Sequence, residues 1–143
     1  MNTQKFLVSG IVGGIVCFFA GYLIYGLAMA DFFSKNAGTA TGVMKPMGEM
    51  VWWALIAGSI FNGLTLSYIY NRWTGISSLG AGAGAGFVLG VLITAGFDLT
   101  MLGTANIMNL QGTLVDIVCG GVMFLITGAA VGLMNGVGKK TTA

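Results

Sequence analysis

The chain reads as an all-α integral membrane protein, a bundle of four helices. Three observations predict this. Of 143 residues, 56% are hydrophobic and only 7% are charged, where a soluble domain carries about 25% charged residues. Mean hydropathy is +0.90. Four predominantly apolar runs, residues 6–30, 51–70, 79–102 and 113–137, are each long enough as helix, at roughly 30–37 Å, to cross a ~30 Å hydrocarbon core. The period-two alternation of a barrel is absent outside the short "GAGAGAG" of 80–86, so helices are left to satisfy the backbone in lipid. The whole chain, 1–143, is expected to form one transmembrane domain.

The first run begins after Lys5 and ends in Ala28-Met29-Ala30, which imitates a signal peptide with a small-residue cleavage site. A signal core is usually about 7–15 residues; this run is longer and is read as a true span. The second opens with Trp52 and Trp53 and closes with Tyr68, Tyr70 and Trp73, as in an interfacial aromatic belt. Near its centre Asn62, followed by Thr65 and Ser67, is either an interhelical hydrogen-bonding group or a pore-lining one. The third and fourth runs carry one aspartate each.

Lys5, Arg72, Lys139 and Lys140 fall on one side of the predicted membrane, and only Lys35 and Lys45 on the other. Positive residues favour the cytoplasm, so both termini are expected inside. The net charge of +2 reflects this small lysine excess and is no signal for nucleic acid.

Glycine, at 25 residues, describes the packing. Gly10 and Gly14 lie in the first run, Gly82, Gly86 and Gly90 in the third, and Gly128, Gly132 and Gly136 in the fourth. Residues four apart share a helix face, so each run presents a small-residue seam, for contact either between subunits or within the chain's own bundle. The "GAGAGAG" stretch lacks the lysine and preceding strand of a phosphate loop. "AGYLIYGLAMADFF" (20–33) and "AGFDLTMLGTANIM" (95–108), followed by "LIAG" (55–58) and "LITG" (125–128), are compatible with two helical hairpins related as parallel repeats.

"GGIVCFFAGYLIYG", "ADFF", "ATGVMKP" and "GFDLTMLGTANIM" together resemble the small, uncharacterised four-span membrane proteins of bacteria, over most of the chain. The resemblance implies a four-helix protein of the inner membrane. That group has no assigned activity, so it transfers no site residue.

The two aspartates are the sharpest chemical feature. Asp98 lies eight residues beyond the centre of its run near residue 90, and Asp116 nine before the centre of its run near 125. The runs point opposite ways, so both carboxylates fall ~12–13 Å from the midplane, on the same outer side. Tyr25 lies near that level. An acid in a membrane costs about 2.5–3.5 kcal/mol at the centre on insertion scales, and less near the interface. Two close carboxylates do not both ionise cheaply, so the pair reads as a proton or cation site. The competing reading is two separate interfacial acids that fix helix ends, with Asp116 favoured in the first turn of its helix. A second candidate is "MKPMGEM", where Met44, Met47 and Met50 offer soft thioethers that suit Cu(I) if they converge; Pro46 is expected in a first helical turn, with Met50 inside the helix.

Other chemistry is thin. There is no histidine, which removes bis-histidine haem and conventional zinc sites. Cys17 and Cys119 fall at different depths and are not expected to pair. No cofactor is expected. Three function classes remain. One is transport or conduction of a small cation or solute through an oligomer, using Asp98, Asp116, Tyr25 and Asn62. Another is a non-catalytic subunit that packs on a partner membrane protein through glycine seams. An enzyme is the weakest, for want of a nucleophile–base set.

Overall fold

Polar capping residues that lie outside the apolar runs set the starts of three of the four long helices. The computed structural model describes residues 2–138. Lys139 and Lys140, two of the four positive residues assigned above to one side, lie outside the described residues. Asn2 caps α1 (Thr3–Gly21), its Oδ1 accepting from the Lys5 N–H at 3.1 Å. The helix continues as a π-helix over Tyr22–Ala28 and breaks at Met29. A short α2 (Ala30–Lys35) follows. A connection with one 3-10 turn, Met47–Glu49, then leads to α3 (Trp52–Ile69), which ends in a second π-helical turn, Tyr70–Thr74. Gly75, at φ 66°, stops it in a left-handed conformation that glycine adopts without strain. Ser78 caps α4 (Leu79–Thr104) and Asn109 caps α5 (Leu110–Gly136), the latter accepting from the Gly112 N–H at 2.8 Å.

The fold is all-α, with no strand among the described residues. Four helices, Thr3–Ala28, Trp52–Thr74, Leu79–Thr104 and Leu110–Gly136, are long and apolar enough to cross a membrane. Against the runs read from sequence, all four gain polar ends, among them Thr3, Asn71, Thr104 and Gln111. Hydropathy excludes these residues, but backbone hydrogen bonding and caps include them. The first ends earlier than expected, because Met29 leaves the helical region.

Glycines place the helices. A Cβ on Gly10 would lie 2.6 Å from Leu64, one on Gly14 would lie 2.5 Å from Ile60 Cα, and one on Gly63 would collide with the Gly10–Gly14 backbone. As positions advance along α1 their partners recede along α3, so the pair is antiparallel. The same pattern joins α4 to α5: Gly82 meets Gly128 and Gly132, Gly86 meets Phe124 and Gly128, and Gly90 meets Gly120, Gly121 and Phe124. Gly136 abuts the Ser77 carbonyl. Seven of the eight glycines picked out from sequence therefore face the chain's own helices and Gly136 the connection before α4, all of them contacts inside the bundle. The two hairpins then join across α1 and α5, where Gly13 receives Val131. Leu66, Tyr70, Phe124 and Val131 form the small buried core.

The interior is otherwise polar and small. Ser9, Ser67, Thr127 and Asn135 are at most 2% exposed, while Phe19, Phe61, Phe97 and Leu92 point outward. That inverted distribution suits a lipid surround, where close approach and interhelical hydrogen bonds hold helices together. The halves of the repeat differ in detail. Tyr22–Ala28 is π-helical, whereas the matching end of α4 stays α-helical to Thr104. "LIAG" lies in the first turns of α3 and "LITG" in the middle of α5.

Candidate functional site

At the end of the bundle that carries the 36–51 and 105–109 connections lies a cavity of about 650 Å³. Each wall has a local cause. The π-helical turn over Tyr22–Ala28 re-aims Tyr25, whose hydroxyl donates to Asp116 Oδ1 at 2.7 Å. π-Turns inside helices recur at functional sites, because one extra residue in the turn reorients the side chains around it. From α2, Phe33 stacks on Tyr25 with ring centroids 5.5 Å apart. From α4 come Phe97, Asp98 and Met101, and from α5 Thr113 and Asp116. Helix α3 contributes nothing to the lining.

The connections close the remaining side. The Gly38 N–H donates to Ile107 O at 2.8 Å and the Ala40 N–H to Asn106 O at 2.9 Å. The Asn109 side chain donates to Asn36 Oδ1 at 3.0 Å, and the Asn36 amide to Phe32 O at 2.9 Å. A Cβ on Gly38 would strike the Asn106 carbonyl, so this latch admits only glycine at that point. It fixes Ala37, Ala40 and Val43 opposite Ile107 and Met108 on the cavity wall.

Electrostatically the chamber is one-sided. Two carboxylates line it, and among the described residues no lysine or arginine does. Asp116 has the Tyr25 hydroxyl. Asp98 is 9% exposed, and its Oδ2 has no hydrogen-bond partner. Thr113 is turned away chemically, its hydroxyl donating to Asn109 O at 3.0 Å. Among the described residues no group of three or more His, Cys, Asp or Glu is arranged to hold a metal ion.

Of the residues singled out from sequence, Asp98, Asp116 and Tyr25 meet at this chamber. Asn62 does not; its amide lies 3.9 Å from Cys17 Sγ, between α3 and α1. Met44 lines the chamber, whereas Met47 and Met50 do not. Pro46 is extended ahead of the 3-10 turn, and Met50 is extended ahead of α3 rather than inside it. The spacing in "MKPMGEM" therefore does not bring three thioethers together, and the methionines that join Met44 are Met101 and Met108. Cys17 and Cys119 are both free and buried.

A second polar group lies at the other end of the bundle, beyond what sequence reasoning found. Ser9 and Ser67 hydroxyls are 2.7 Å apart, and Ser67 also donates to Phe6 O. The Asn71 amide bridges Ser67 O at 2.8 Å and Asn135 Oδ1 at 3.0 Å. Asn135 donates to Ile76 O, and the Tyr70 hydroxyl to Gly82 O at 2.6 Å. The only trace in the sequence is the four-residue step from Ser67 to Asn71. The cluster ties α1, α3 and α5 and is internally satisfied, which is the role of polar residues between membrane helices. No protein-family profile matches the chain, and no curated protein or solved structure is significantly similar to it.

Proposed function

We propose that this chain is a multi-pass protein of the bacterial inner membrane that binds a small cation in the acidic chamber and, as an oligomer, carries or conducts it. One observation carries the reading: Asp98 is buried against the chamber with a carboxylate oxygen that nothing among the described residues satisfies. An unsatisfied buried polar group costs about 1–3 kcal/mol, and more when charged. A bound cation offsets that cost at the place where a second lining carboxylate, Asp116, lies.

Lys5 and Arg72 sit at the end away from the chamber. With that end cytoplasmic, the chamber opens toward the outer face. Its lining comes from one end of the bundle only, so passage needs a rearrangement or a second subunit. The π-helical turn beneath Tyr25 is the element best suited to move. A second reading, a structural subunit of a larger membrane complex, draws on Gly80 and Gly84 of α4, where an added Cβ would meet nothing within 4 Å among the described residues. Neither reading assigns catalysis.

The test is flux into liposomes carrying the purified protein, with Asp98→Asn and Asp116→Asn beside it. Cation or proton entry above empty vesicles that both substitutions abolish supports the transport reading. No flux from the unmodified protein for monovalent, divalent or organic cations refutes it and leaves the subunit reading.

A further inference from the structure

We infer that the cation taken by the chamber is a hydrophobic organic ammonium ion, not an inorganic one. This rests on the cation reading above and narrows it by what the walls offer. A volume of about 650 Å³ lies within the roughly 300–1,000 Å³ of small-molecule sites, and filling it with water alone would take about 20 molecules at ~30 Å³ each. The walls give such water little to bind. They are chiefly the rings of Tyr25 and Phe33, the largely exposed ring of Phe97, and the thioethers of Met44, Met101 and Met108.

The polar groups that do reach the chamber are mostly committed. Tyr25 donates to Asp116, and Thr113 to a backbone carbonyl. A dehydrated Ca²⁺ takes about 6–8 oxygen ligands and Mg²⁺ a near-octahedral six, well beyond what two carboxylates supply. An ammonium bearing apolar substituents asks for less. Its charge meets Asp98 and Asp116, a donor on nitrogen reaches the unpartnered Asp98 Oδ2, and its substituents lie against aromatic faces that attract cations. Methionine lets the wall adapt to more than one shape. Anions are refused by the carboxylates, and sugars by the scarcity of free hydrogen-bonding groups.

The experiment measures binding to the full chain in lipid nanodiscs, with empty nanodiscs as blank. The probes are benzyldimethylammonium, which carries one N–H, the similarly shaped neutral alcohol 2-methyl-1-phenyl-2-propanol, and Na⁺, K⁺, Mg²⁺ and Ca²⁺ as competitors. The expected result is saturable binding of one ammonium per chain, at least about tenfold tighter than the alcohol, since one elementary contact of this kind is worth about a factor of ten. Millimolar inorganic cations should not displace it, and Asp98→Asn should weaken it about tenfold or more. Phe97→Leu, which leaves every carboxylate in place, should weaken the ammonium and not the alcohol. Binding of an inorganic cation that depends on Asp98, with the ammonium excluded, overturns this inference and leaves the cation reading intact. Equal binding of ammonium and alcohol by the unmodified protein, or no binding of any cation, overturns both; that comparison needs no variant to fold.

Discussion

Gly128 tests the packing argument most directly. It sits where three elements meet: a Cβ there would run into the Gly82 carbonyl, lie 2.6 Å from the Tyr70 hydroxyl and lie 2.9 Å from Gly86 Cα. Ordinary contact begins near 3.4 Å, so Gly128→Ala forces α4 and α5 apart by roughly half to one ångström, and an interior packed at crystal density has no slack for that. Overpacking of this kind costs about 1–3 kcal/mol. The displaced Tyr70 hydroxyl puts at risk its bond to the same Gly82 carbonyl, a further ~1 kcal/mol. The expected total is about 2–4 kcal/mol, from a single methyl group. Gly84→Ala on α4 is the control. Nothing lies within 4 Å of its added Cβ, and alanine favours helix over glycine by about 1 kcal/mol. The assay is thermal melting of the purified protein in detergent, followed by circular dichroism, with both variants beside the unmodified chain. Gly128→Ala should melt well below it and Gly84→Ala at or above it. If the two alanine variants melt together, glycine contact does not hold the hairpin and the reasoning fails.

Tyr25→Phe removes the donor to Asp116 Oδ1 and should lower the melting temperature by an amount equivalent to about 1–3 kcal/mol, with the loss concentrated at the chamber end in hydrogen-exchange measurements. Asn109→Ala deletes both the α5 cap and the bond to Asn36; an N-cap alone is worth about 1 kcal/mol, and faster proteolysis within 36–46 would report the opened latch. Asn71→Leu should cost about 1–2 kcal/mol in the same melting assay by stranding Asn135 Oδ1, while Asn62→Leu, whose only recorded partner is a distant thiol, should cost less. Cysteine labelling checks orientation: Lys5→Cys and Gly48→Cys should react from opposite sides of sealed vesicles, and the native Cys17 and Cys119, being buried, should give little background. Reaction of both from one side would refute the topology.

The span count and approximate limits were legible because hydropathy over about twenty residues leaves few alternatives in lipid. Helical rise alone put Asp98 and Asp116 at one depth, and both line the chamber. The remainder of the site was hidden for physical reasons. Tyr25 reaches Asp116 through a π-helical turn, and a residue inserted into helical register leaves no mark in composition. Phe33 and the 37–44 segment become walls only through the Asn36–Asn109 latch, a contact between residues 73 apart in sequence. The methionine spacing misled because Pro46 and Met50 are extended, with a single 3-10 turn between them, so a three-residue step there does not place side chains on one face. Glycine spacing was informative in α4 and α5, but it missed Gly63, the closest approach between α1 and α3, because the other glycine of that helix, Gly58, is five residues away and off the four-residue step.

The order of contacts along the chain has a consequence in time. Helix α1 meets α3, the next span to emerge, and α4 meets α5; each hairpin can close as soon as its second helix enters the bilayer, with little loop entropy to overcome. The seating of Val131 on Gly13 and the Tyr25–Asp116 bond join the fourth span to the first. Biogenesis is thus staged, with two early local closures and one late long-range docking. The chamber belongs to the late stage, since Tyr25 comes from the first hairpin and Asp98 and Asp116 from the second. A nascent chain halted before α5 would hold a folded first hairpin and no chamber, so the chamber is completed in a single step when α5 docks.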